Sequence, residues 1–152
     1  MKKLLFPLWF ALVLACGFTG CGAPTYITSG MRIELAAIER AGDGTVRVNW
    51  RVANPNVAAY VLARSTHKLS LNGTPVGTFS DSNRVGVPAQ NAVERSGVLT
   101  LANAAAGSIV EQAAAHGSAA YQLDSAVFIL MDDEKTEKIP MSGSGTVPVT
   151  TK

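Results

Sequence analysis

Two cysteines, two histidines and a short acidic run are the side chains of this 152-residue chain best equipped for chemistry. His67 lies in a strand-like segment and His116 at the end of a helix-like one. Neither has a partner at His-x-x-x-His spacing. His116 suits a helix C-terminus, where a cationic imidazole meets the negative end of the dipole. No Gly-x-Ser-x-Gly elbow aims a nucleophile. Gly143-Ser144-Gly145 has no helix behind it to receive a phosphate, and reads as a flexible strand edge. Asp132-Asp133-Glu134 lacks the alternating ligands of a calcium loop, so a solvated turn is expected there. Arg47, Asn49 and Arg51 share one strand face and could make a small anion patch, but a wet, exposed face is the default. The expectation is therefore no catalytic residue, no cofactor and no metal site.

The cysteines carry a different chemistry. Lys2 and Lys3 precede an uncharged apolar run from Leu4 to Ala15, and Gly17-Phe18-Thr19-Gly20 leads into Cys21. A basic start, a short apolar stretch and small residues before a cut describe an export signal. The run is short for a bilayer-spanning helix, which needs about 20 apolar residues. Phe18-Thr19-Gly20-Cys21 resembles a bacterial lipobox, with Phe18 in place of the usual Leu. Val13-Leu14-Ala15-Cys16 is a second candidate, but it would leave an apolar stretch of only about nine residues. The resemblance implies a leader over 1–20 and a mature chain that begins at Cys21 with a thioether-linked diacylglycerol. Two or more acyl chains anchor stably, at roughly 0.8 kcal/mol per buried methylene. Gly22, where an Asp would imply inner-membrane retention, points to the periplasmic face of the outer membrane in a Gram-negative envelope. Loss of Lys2 and Lys3 cancels the formal charge of +2, so a basic partner-seeking surface, and nucleic acid with it, is not expected.

The remaining chain has to position whatever acts. Residues 21–30 read as a lipidated N-terminus and tether, and residues 31–149 as one domain. Its dominant period is two. Val46, Val48, Trp50 and Val52 face one way, while Thr45, Arg47, Asn49 and Arg51 face the other. Arg32-Ile33-Glu34-Leu35 starts a similar strand, and Ala36-Ala37 shifts its phase as a bulge would. Asn72-Gly73 between two strand-like runs is a hairpin signal, because both residues accept positive φ. The Ala-rich stretch from Asn103 to His116 predicts one helix ended by Gly117. Ala126 to Met131 is an unbroken apolar run and predicts a fully buried strand. The whole suggests an immunoglobulin or fibronectin type III-like β-sandwich of seven or eight strands with one short helix. Trp50, Phe128, Tyr60 and Tyr121 are its largest core candidates.

One segment joins strand to recognition. The alternating strand over Val46 to Val52 runs through Ala53 into Asn54-Pro55-Asn56. With Leu69-x-Leu71-Asn72-Gly73-x-x-Val76-Gly77, Val87-Pro88-Ala89, Tyr121-x-Leu123 and Ile139-Pro140-Met141-Ser142-Gly143-Ser144-Gly145, in that order, it resembles the late embryogenesis abundant (LEA) type 2 family. The domain of that family is also called WHy, for water stress and hypersensitive response. The resemblance spans about residues 31 to 149, and the lipobox departs from the plant members. On turn chemistry alone, Asn54, Pro55 and Asn56 read as a structural corner: Pro55 removes a ladder donor, and the two Asn can bond nearby backbone. The resemblance implies a non-enzymatic stress protein of the cell envelope, active in desiccation and allied stress by protecting or binding envelope proteins. The alternative is a lipid-tethered module that binds one envelope protein or glycan. The membrane, through the N-terminal lipid, is the expected partner in both.

Overall fold

The computed structural model describes residues 30–131 and 134–152. The leader over 1–20, Cys21 and nearly all of the tether lie outside the described residues, as do Asp132 and Asp133 of the acidic turn. Nine strands and one helix follow in the order β1 (Arg32–Arg40), β2 (Val46–Asn54), β3 (Tyr60–Leu71), β4 (Thr74–Asp81), β5 (Val85–Val87), β6 (Asn91–Val98), β7 (Thr100–Leu101), α1 (Ala104–His116), β8 (Ser118–Leu130) and β9 (Thr136–Thr151). The mainly β class with one short helix is thus as expected.

The strands share one hydrogen-bonded path, β6-β2-β1-β9-β8-β3-β4-β7, with β5 paired to β3. The sheet curls on itself as a half-barrel. β9 makes the curl. Its long first part pairs antiparallel with β8, and its last residues, Val149 to Thr151, pair parallel with Ile38 to Arg40 of β1. At the crossing, Gly143 approaches the Ile33 carbonyl so closely that a Cβ would overlap it. Gly145 lies against the Tyr121 ring, where a Cβ would stand 3.3 Å from Cε1. The sequence reading of this stretch as a flexible edge is therefore corrected. These glycines sit at tight contacts between elements.

Alternation in the sequence becomes two faces of the curl. Val46, Val48, Trp50 and Val52 are buried inside, and the expected bulge appears as a register shift between Leu35 and Ala37. The hairpin at Asn72-Gly73 has φ of 47° and 79°, the left-handed values that pair requires. Helix α1 starts at the Asn103 cap, whose Oδ1 accepts from the Ala106 N–H at 2.9 Å. It ends at Gly117, with φ 78°. Ala106, Val110 and Ala113 form its buried face.

Three expectations need correction. Ala126 to Leu130 is not buried on both sides: only Val127 and Ile129 face the core. Phe128 is half-buried on the outer face under the Arg64 guanidinium, 3.8 Å from the ring centroid. An aliphatic run hides a period of two when its outer residues are also apolar. Tyr60 is also only half-buried, whereas Tyr121 and Trp50 are core residues. The strand count is nine because β6 pairs along all eight residues with β2 despite a sequence, Asn-Ala-Val-Glu-Arg-Ser-Gly-Val, with little apolar alternation.

Candidate functional site: the Asn-Pro-Asn corner

Strand direction sorts the loops into two ends. The end where the described chain begins carries the β2–β3, β5–β6 and β8–β9 connections. The other end carries the β1–β2 and β3–β4 turns and α1.

Asn54 continues the inward phase of Val48, Trp50 and Val52, so β2 places a polar side chain where an apolar one would follow. It is 1% exposed. A buried amide must be bonded or it costs about 1–3 kcal/mol. Asn54 Nδ2 donates to the Ala58 carbonyl at 2.8 Å and to the Pro88 carbonyl at 3.1 Å. Its Oδ1 accepts from the Asn56 N–H at 3.0 Å. One side chain thus closes the β2–β3 loop and ties it to the β5–β6 connection. The Asn56 carbonyl completes the tie by accepting from the Gln90 N–H at 3.0 Å. Gln90 takes φ 52° to present that N–H. Asn56 Nδ2 is buried and has no hydrogen-bond partner among the described residues. Pro55 is exposed, and Gly30 packs beside it: a Cβ on Gly30 would lie 3.2 Å from Pro55 Cγ. Gly30 has φ 92°, a conformation that favours glycine.

The structure therefore brings Asn54, Pro55 and Asn56 together with Gly30, Pro88 and Gln90. None of these side chains ionises, and the hydrogen bonds of Asn54 and Asn56 tie the β2–β3 loop to the β5–β6 connection. Cys21 lies outside the described residues. Among those residues, no group of three or more His, Cys, Asp or Glu could hold a metal ion. No helix among them is long and apolar enough to cross a membrane.

A second polar constellation was not anticipated. His67 is 1% exposed, between Ser125 Oγ at 2.8 Å from Nδ1 and Ser65 Oγ at 2.8 Å from Nε2. Its ring stacks on Phe79, centroids 4.4 Å apart, and meets Trp50 at 4.6 Å. Burial pushes its pKa from the ordinary 6.5 down to about 4, against a weaker upward pull from Asp81. The imidazole is neutral, one ring nitrogen donating and the other accepting. Both serines are buried with it. Nearby, Arg95 of β6 reaches Asp81 of β4 through Nη2 and Nε, each 2.6 Å from Oδ2. Burial raises the Asp81 carboxyl, but the Asn83 backbone N–H and Arg95 outweigh it and hold it below its usual range. The sequence signal was there in part: Ser65 and His67 are in phase with Leu69 and Leu71.

No family model and no curated protein matches the chain. Solved structures similar to it include a protein from Archaeoglobus fulgidus (14% identity over 78% of this chain and 94% of that one, TM-score 0.46). A protein from Arabidopsis thaliana shares 13% identity over 79% of each chain, with a TM-score of 0.47. A late embryogenesis abundant protein shares 12% over 80% of this chain and 72% of that one, with a TM-score of 0.44.

Proposed function

We propose that this chain is a non-enzymatic, lipid-anchored protein of the bacterial envelope, built on a LEA type 2 or WHy-like domain and serving in tolerance of desiccation and related stress. In this reading the curled sheet is an immunoglobulin or fibronectin type III-like sandwich in which β9 passes from one layer to the other. The leader is removed, Cys21 is lipidated, and the domain sits at the periplasmic face of the outer membrane of a Gram-negative cell. There it protects or binds envelope proteins. The observation that carries the reading is the ordered set of motifs around Asn54-Pro55-Asn56. The buried side chain of Asn54 supports it, because it gives the first Asn of that motif a physical reason to be Asn. The sealed setting of His67, Ser65 and Ser125 supports a role without catalysis.

Deleting the gene tests the stress role, and loss of survival on drying, freezing or osmotic shock is expected. Metabolic labelling with a palmitate analogue tests the anchor. Label is expected on the wild type and absent from Cys21→Ala.

A second reading, a tethered module for one envelope protein or glycan, is favoured by β6. That strand is last on the path and, among the described residues, is hydrogen-bonded along one side only, to β2. Crosslinking in intact cells separates the two. One stoichiometric partner favours the module, and many substoichiometric partners favour the protective role.

A further inference from the structure

The end of the domain where Gly30 lies carries two exposed large hydrophobic side chains, Val57 and Val61. Three large hydrophobic side chains are exposed among the described residues: Val57 at 86%, Val61 at 38% and Val98 at 54%. Val57 and Val61 lie in and just after the β2–β3 loop, at the end where Gly30 packs on Pro55. Val98 is at the far end of β6. Val61 pairs in register with Leu130, which is half-buried beside it. Two residues along the same outer face, Arg64, Phe128 and Lys138 lie in register across β3, β8 and β9. The bulge between Leu62 and Arg64 is what brings Arg64 to the same side as Val61. Arg64 and Lys138 are exposed and make no ion pair among the described residues. An apolar tip, an aromatic ring and two flanking cations in sequence down one face match the layers of a phospholipid surface, acyl boundary first and phosphates next.

Chain length limits the alternatives. Eight residues separate Cys21 from Gly30, so the two Cα atoms can lie at most about 30 Å apart. An anchor at Cys21 therefore holds the Pro55 end toward the bilayer. We propose that this end rests on the phospholipid surface, with Val57 and Val61 in the headgroup boundary and Arg64 and Lys138 on lipid phosphates. The other end, with α1 and the Asn72-Gly73 hairpin, then faces away and is free to meet clients. Glu134, with Asp132 and Asp133 beside it in the sequence, gives the β8–β9 turn an acidic character that sets one limit of the contact. The inference rests on lipidation of Cys21, so its test must separate the two.

The lipidated chain is purified from cells as Val57→Cys and, for the far end, Thr74→Cys, each labelled with a polarity-sensitive fluorophore. Mass of the mature chain is read first. The samples are then placed in phosphatidylethanolamine and phosphatidylglycerol vesicles containing brominated lipid. The inference expects several-fold quenching at position 57, little at position 74, and about half the quenching at 57 when Arg64→Gln and Lys138→Gln are added. A mass without acyl chains overturns the anchor and the inference with it. A lipidated chain with equal quenching at both positions, or with none at 57, overturns the inference alone. So does a probe at 57 that is shielded from aqueous iodide yet untouched by brominated lipid, since that means a second copy covers this end. Quenching at 57 that ignores the double variant removes Arg64 and Lys138 from the contact.

Discussion

Asn54 and Asn56 differ in how they are used, although the sequence presents them as a symmetric pair. The side chain of Asn54 makes the bonds, while Asn56 contributes its backbone and buries an amide that meets no acceptor among the described residues. Asn54→Ala should cost about 2 kcal/mol or more, because it strands carbonyls and an N–H in a buried corner. Asn56→Ala should cost under about 1 kcal/mol by the same reasoning. Urea denaturation of both variants checks this, and an equal loss would contradict the asymmetry. His67 gives a pH signature. Its folded pKa of about 4 lies below the ordinary 6.5, so between these values the unfolded chain takes up a proton that the folded one refuses. Stability is unaffected above about pH 6.5 and falls as pH drops toward 4, by roughly 3 kcal/mol in all. Below that it levels off for this group. His67→Gln keeps hydrogen-bonding capacity but cannot titrate, so its stability should fall less steeply across that window than that of the wild type. Asp81 acts only at more acid pH, since its carboxyl is held below its ordinary 3.8. The corner was legible from Asn-Pro-Asn. Its partners on the β5–β6 connection were not, because nothing local in Pro88-Ala89-Gln90 marks them as acceptors or donors for a loop far away in sequence.

Among the elements, β2, the β3–β4 hairpin and α1 were legible because each carries its own signal: strict alternation, Asn-Gly, and an Ala-rich run ended by Gly117. β6 and β9 were not. β6 is defined by its partner β2 more than by its own residues, and its inward Arg95 breaks the apolar pattern. β9 looks weak in sequence because glycine and proline interrupt it, yet it holds both halves of the curl. Gly143→Ala should destabilise by about 2–3 kcal/mol, as the added methyl meets the Ile33 carbonyl. Gly86→Ala, with nothing within 4 Å of the new atom, should be near neutral. Thermal melts of the two variants check the contrast, and similar melting temperatures would mean that the β1–β9 crossing is looser than described.

For the whole molecule, the curl needs a closure where β6 and β4 approach. The Arg95–Asp81 pair spans that gap, with the Asp81 side chain only 7% exposed. Arg95→Ala should cost about 1–3 kcal/mol, because the buried carboxylate keeps the Asn83 N–H but loses its cation. The double variant Arg95→Met with Asp81→Leu should recover most of it, and denaturation midpoints read both. The period of two predicted a β-rich domain, and the residues before Cys21 carry the expectation of an anchor. The fold gathers Pro55, Val57 and Val61 at the end where Gly30 lies, which neither composition nor periodicity shows. The central claim is that the protein guards the envelope from a lipid anchor. The most direct measurement is survival after drying of a deletion strain that carries either the wild-type gene or Cys21→Ala. Deletion is expected to lower survival, the wild type to restore it, and Cys21→Ala at equal protein level to leave it low. Survival indifferent to the deletion would contradict the stress role, and full rescue by Cys21→Ala would contradict the anchor.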